Sequence, residues 1–227
     1  MWATSEGIRV TAPRRVAYAT IERALRANAA WLCDQLAAWA PAPPPRQGDL
    51  LPLGDDRLQV ALTSRARPHF DLSAGAVRLP SGLGDHDRVE VLERLYRREA
   101  RRRLVSLCNH YSDVLGVQVR RIRISDPRTR WGSCSTSGTI SLSWRLMMAP
   151  GVVAESLCAH EVAHLLVPNH SRAFRDVVDG VFAEVGACER WLSEHGRALL
   201  RGPLAAAEAP PLVASATGEH LVSSTRT

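Results

Sequence analysis

The stretch AHEVAHLLVPNHSRAF, residues 159–174, decides how this chain is read. His160 and His164 stand four apart and so project from one face of a helix, the H-E-x-x-H pattern in which two imidazoles can share one metal ion. Leu157, Val162, Leu165, Leu166 and Val167 surround them, and the whole of 152–167 is apolar nearly all round, as a helix inside a core must be. Histidine and glutamate are expensive to bury unpaired, and a metal removes that cost. Pro168 predicts that the helix stops at the residue before it.

A catalytic zinc takes three protein ligands and keeps one position open, so a third ligand is required. His170 is the best candidate, because Pro168-Asn169 ends the helix and lets the chain swing back toward the first two histidines. Glu184 and His110 are the alternatives. Three nitrogen ligands leave Zn²⁺ its full charge, and one zinc per chain is expected. Glu161 follows the first ligand and points about 100° round the helix, toward the open position. It is placed to act as a general base and then to protonate a leaving amine, so the reaction class is metal-assisted hydrolysis of an amide.

Working outward, residues 7–13 alternate like a short strand, and from Thr20 the apolar positions Ile21, Leu25, Leu32, Leu36 and Trp39 predict an amphipathic helix with one lapse at Asn28. PAPPPR, residues 41–46, is a stiff connector. LQVAL at 58–62 and AVRLP at 76–80 predict small antiparallel strands. Asp87 with Glu90 resembles a capping box opening a long helix that Gly116 stops. Strands at 121–125 and 139–144, separated by the turn-rich DPRTRWGSCSTSG, predict a hairpin. Helices follow Ser171 and span about 187–200, and residues 203–227 have the composition of a disordered tail.

A wider match joins these pieces. Arg130-Trp131-Gly132-Ser133-Cys134, the strand ISLSWRL, Pro150 and AHEVAHLLVPNHSRAF together resemble the YgjP-like metallopeptidase family of zincins, related to the SprT-like proteases. That family carries WGSC ahead of an H-E-x-x-H helix and a third histidine in an N-H-S tripeptide, here Asn169-His170-Ser171. The resemblance extends back through RVTAPRRVAYATIERALRANAAWL at 9–32 and forward to the helix containing Trp191, covering about residues 7–200. It implies a zinc hydrolase with His160, His164 and His170 as ligands and Glu161 as base. It also implies that Trp131, Gly132, Ser133 and Cys134 make a tight glycine turn that places an antiparallel, substrate-binding edge strand beside the metal helix, to which an extended polypeptide could add; a purely structural hairpin is the alternative. The sequence departs from the family at Arg175, where tryptophan usually follows the phenylalanine, and at Ser143, where asparagine usually precedes the tryptophan. Metzincins share the six-residue step from His164 to His170, but Val167 replaces their glycine and no methionine follows Met148.

The fold class expected is therefore α+β: a small twisted antiparallel sheet over a buried metal helix. One domain is expected over 7–202, with a strand-helix-strand portion at 7–80 and a catalytic portion at 85–202. Composition agrees, since 45% of the 227 residues are hydrophobic and 23% charged. No stretch is long and apolar enough to span a bilayer, and MWATSEGIRV lacks the basic start and apolar core of an export signal. Five cysteines without a C-x-x-C pair suit a reducing cytoplasm better than a disulfide framework.

The chain contains no lysine, so its 29 basic residues are all arginine. Ten lie between Arg97 and Arg130, against Glu99, Asp113 and Asp126. That cluster raises a second function class, a metal-dependent nucleotide pyrophosphate hydrolase or a nucleic-acid-associated protein in which arginines hold phosphate. Glu93 to Arg97 and Glu99 to Arg103 are nevertheless spaced for helical pairing, which favours a solvated face. The peptidase reading is preferred because a glutamate base beside the metal suits amides, whose leaving nitrogen must be protonated.

Overall fold

The computed structural model describes residues 2–4, 7–13, 15–37, 43–64, 67–127 and 129–200. A two-stranded hairpin, β1 (Trp2–Thr4) and β2 (Gly7–Arg9), precedes two helices, α1 (Tyr18–Ala27) and α2 (Ala29–Ala37). Sequence periodicity predicted one helix here. The lapse at Asn28 is the break: its side-chain amide donates to the Ala24 carbonyl at 2.8 Å and ends α1. The tail at 203–227 lies outside the described residues.

Four strands follow, β3 (Leu50–Leu53), β4 (Asp56–Thr63), β5 (His69–Asp71) and β6 (Ala76–Pro80), in spatial order β3-β4-β6-β5. Segments 58–62 and 76–80 were expected to be antiparallel, yet β4 and β6 run parallel, with Gln59 opposite Ala76. The reason is β5, too short to give a periodic signal, which reverses the chain on the far side of β6. An Arg78–Asp71 ion pair at 2.9 Å closes that hairpin. Leu51, Leu53, Leu58, Val60, Val77 and Leu79 turn inward.

They meet α3 (Asp85–Leu115), whose buried stripe runs from Val91 through Tyr96 and Leu104 to Tyr111. The expected capping box lies inside this helix. Gly84 caps it without a side chain, and Arg88 secures the first turn by donating to the Pro45 and Leu83 carbonyls at 2.8 and 3.1 Å. Gly116 ends it as expected, in the left-handed conformation that favours glycine (φ 65°). Tyr96 is fully buried, and its hydroxyl donates to the Pro52 carbonyl at 2.5 Å, tying α3 to the four-stranded sheet.

The second sheet contains β7 (Arg121–Ser125), β8 (Gly132–Cys134) and β9 (Thr139–Ser143), in spatial order β7-β9-β8. Segments 121–125 and 139–144 are not a hairpin, because β7 and β9 pair in parallel. After β7 the chain crosses over the end of β9, where Ser143 N–H donates to the Trp131 carbonyl at 2.8 Å. It then enters β8, which is the antiparallel partner of β9. The sheet is thus mixed, though the α+β class stands. Its inner face carries Ile122, Ile124, Ile140 and Leu142; its outer face carries hydroxyls and arginines.

A 3-10 turn at Trp144–Met148 leads into α4 (Gly151–Ala163), then α5 (Arg172–Val181) and α6 (Val185–Leu200). Helix α4 is walled by α3, α5, α6 and β8, which accounts for its apolar circumference. Val153, Cys158, Ala159, Val162 and Ala163 are completely enclosed. Each buried valine there contributes about 1.5–3 kcal/mol. Among the described residues no helix is long and apolar enough to cross a membrane.

Candidate metal centre and active site

His160 sits in the last turn of α4 and His164 caps it, four residues before the terminus predicted from Pro168. The chain then reverses through Leu165–Asn169. Asn169 Oδ1 accepts from Ser171 N–H at 3.2 Å, and Ser171 in turn caps α5 by accepting from Phe174 N–H at 3.4 Å. This pair of local caps returns His170 to the end of α4. Nε2 of His160 lies 3.1 Å from Nε2 of His170. One ring nitrogen from each of His160, His164 and His170 lies within 4.8 Å of the others. His110, exposed on α3 and packed edge-on against Tyr111, is not among them, nor is the exposed Glu184.

For the two histidines on the helix, His160 and His164, the electrostatics favour the neutral, electron-donating form. Burial holds the His160 pKa down at about 4, with His164 and His170 adding to the effect. His164 is also lowered by burial, against the opposing pull of the Val167 carbonyl. Its Nδ1 lies 3.1 Å from that carbonyl oxygen, so Nδ1–H donates there and the Nε2 lone pair faces the other rings. Three imidazoles form a donor set suited to zinc rather than to magnesium or calcium.

Phe174 escaped the sequence reading. It is buried, and its ring centroid lies 4.8, 4.3 and 5.0 Å from those of His160, His164 and His170. The ring stacks on His164 and meets the other two edge-on. Its position one turn inside a helix that starts directly after the third histidine is the signal that could have identified it.

Glu161 is 5% exposed, and its Oε2 has no hydrogen-bond partner among the described residues. Burial pushes its pKa up to about 7, against the lowering effect of Arg130. The carboxylate lies against the backbone of Gly132. A Cβ on that residue would stand 2.4 Å from Oε1 and 2.8 Å from Cδ, so no larger residue fits while Glu161 keeps its place. Gly132 is therefore more than the tight turn suggested by the sequence.

The other residues of the W-G-S-C segment divide. Trp131 packs its indole against α6, where a Cβ on Gly196 would meet Cζ2 at 2.9 Å. Ser133 pairs with Ser141 of β9 in the edge strand. Burial, assisted by the charge of Glu161, raises the Cys134 thiol to about 11, so it stays protonated at neutral pH. Within the arginine cluster, Arg97 pairs with Glu93 and Asp126, and Arg102 and Arg103 both pair with Glu99. That is the solvated, self-compensated helix face anticipated from the spacing.

Comparison with known proteins adds independent findings. A family model described as YgjP-like, metallopeptidase domain matches residues 3–195. No curated protein matches the chain significantly. Among solved structures the chain is similar to the metallopeptidase zymogen abylysin of Pyrococcus abyssi, at 27% identity over 41% of this chain and 96% of that one, with a TM-score of 0.38.

Proposed function

The chain belongs to the YgjP-like metallopeptidase family, and from that premise we propose that it is a cytoplasmic zinc peptidase whose catalytic unit spans residues 7–202. His160, His164 and His170 would hold one Zn²⁺, which when bound supplies Lewis acidity toward the scissile carbonyl and the attacking water. The observation that carries this reading is the convergence of three imidazoles, with a ring nitrogen of each within 4.8 Å of the others, one helical position away from a buried carboxylate. Glu161 takes a proton from the attacking water and delivers it to the leaving amine. A proton affinity near neutrality suits a group that must both accept and release. Gly132 leaves the space that this carboxylate fills. Edge strand β8, through Gly132, Ser133 and Cys134, offers its free side to an extended polypeptide, which would bind as a further strand. Five free cysteines suit the reducing compartment.

Elemental analysis and peptide digestion test the assignment together. Wild-type protein is expected to carry one zinc, and His160→Ala, His164→Ala and His170→Ala are each expected to lose it. Glu161→Gln is expected to keep zinc and lose about 10² to 10⁴ in rate. Normal zinc content in His170→Ala would remove that residue from the ligand set, and full activity in Glu161→Gln would refute its role as base.

A further inference from the structure

Between Asp113 and Glu155 the sequence has one acidic residue, Asp126. This stretch holds all three strands of the sheet that adjoins α4, and Asp126 is already engaged by Arg97 at 3.4 Å and Arg145 at 2.8 Å. Arg120, Arg121, Arg123 and Arg130 of the same stretch are exposed, and none of them forms an ion pair with a described residue. The α3 arginines that pair with Glu93 and Glu99 do not share this imbalance. Helix α5, on the other side of the histidines, is balanced by Arg172 and Arg175 against Asp176 and Asp179.

Two of the four arginines bracket the edge strand. Arg130 stands two residues before Gly132, whose backbone lies on the Glu161 carboxylate. Past the other end of β8, Arg120 lines a groove of about 670 Å³ with Gln118, Thr136, Ser137, Gly138 and Leu165. Its backbone N–H is held by the Gly138 carbonyl at 2.9 Å, and Leu165 directly follows His164. The groove thus adjoins the metal centre and has no carboxylate in its wall. An extended chain laid along β8 from the Arg130 end would run on past Cys134 toward the groove that Arg120 lines.

We propose that this site selects acidic polypeptide segments, with Arg130 and Arg120 as specificity-determining residues at the two ends of β8. The inference rests on the peptidase reading above and deepens it by naming the substrate class. Carboxylates on a bound segment would pair with guanidinium groups that form no ion pair among the described residues, Arg130 feeling only the longer-range charge of Glu161, whereas a basic segment would meet like charge.

Binding and cleavage separate the two claims. The probes are three fluorescent peptides of equal length, rich in glutamate, glutamine or arginine, titrated against zinc-loaded full-length Glu161→Gln protein. The expected order is acidic over neutral over basic, with about tenfold between the extremes at low salt and less as salt rises. Arg120→Glu with Arg130→Glu should reverse the order, while Arg98→Gln on α3 should leave it intact. Equal binding of the three peptides, or an order indifferent to the double reversal, overturns the proposal. So does tighter binding of a single-stranded oligonucleotide of matched charge, which would make the surface a phosphate site. Cleavage of the same peptides by wild-type protein is scored separately: failure there with the binding order intact counts against the peptidase reading alone.

Discussion

Helices α3 and α4 pack against each other, yet they treat polar residues in opposite ways. In α3 the charged side chains face water and neutralise one another at three- and four-residue spacing, as with Glu99 between Arg102 and Arg103. In α4 the ionisable groups of the last turns, His160, Glu161 and His164, are drawn out of water without compensating charge inside the helix, and their pKa values shift accordingly. The first pattern stabilises a long exposed helix by small increments. The second lowers stability locally and makes sense only as chemistry. Abundance of charge is therefore a poor guide to function here, and isolation of charge is a good one.

Substitutions can break or sharpen this contrast. The largest effect is expected from Gly132→Ala: the new methyl group must displace the Glu161 carboxylate by about 1 Å, which is expected to cost about 10² in kcat with zinc content unchanged. Wild-type turnover in this variant would show that the carboxylate need not be held in place. Phe174→Leu keeps an apolar side chain but loses the ring that contacts all three histidines, and zinc affinity is expected to fall by about 10- to 100-fold in a chelator competition. Unaltered affinity would mean that the backbone alone sets the histidine geometry.

Smaller effects belong to the junction and to α3. Tyr111 of α3 donates to Glu155 of α4 at 2.8 Å, and Tyr111→Phe is expected to cost about 1 to 2 kcal/mol in urea unfolding. Glu99→Gln is expected to cost only about 0.5 kcal/mol at neutral pH, the scale of ion pairs at three- and four-residue helical spacing. The hydrogen bond from Arg102 leads the lowering of the Glu99 pKa below 4.5, with Arg103 assisting against burial. Its contribution is therefore complete above that value and fades as pH falls through the lowered one. Variant and wild type should converge once pH falls below the lowered value; a difference that persists there would show that the pairing is not electrostatic.

The buried helix and the convergence of its two histidines with His170 were legible because their evidence is local: a spacing of four, an apolar surround and a proline shortly before the third histidine. The burial of Glu161 followed from the same pattern. The strand pairings were not, since β5 and β8 are each three residues long and the direction of β7 against β9 is decided by a crossover rather than by periodicity. The contact between Gly132 and Glu161 joins residues 29 positions apart and depends on an absent side chain, which no pattern of residue types records. The long helix began at Gly84 and not at the capping box, because Arg88 reaching Pro45 and Leu83 performs the capping from outside the motif.

Asp55, in the turn between β3 and β4, accepts from the first N–H of α4 at Gly151 across 96 residues of chain, at 3.2 Å. Closing a loop of that length is entropically demanding and slow compared with forming the β3–β4 turn or the body of α3. The start of the metal helix is thus completed only after the sheet from the first third of the chain has docked. One carboxylate thus joins the first third of the chain to the start of the helix that carries His160 and His164, so that a sheet that has not docked leaves the Gly151 N–H without this acceptor.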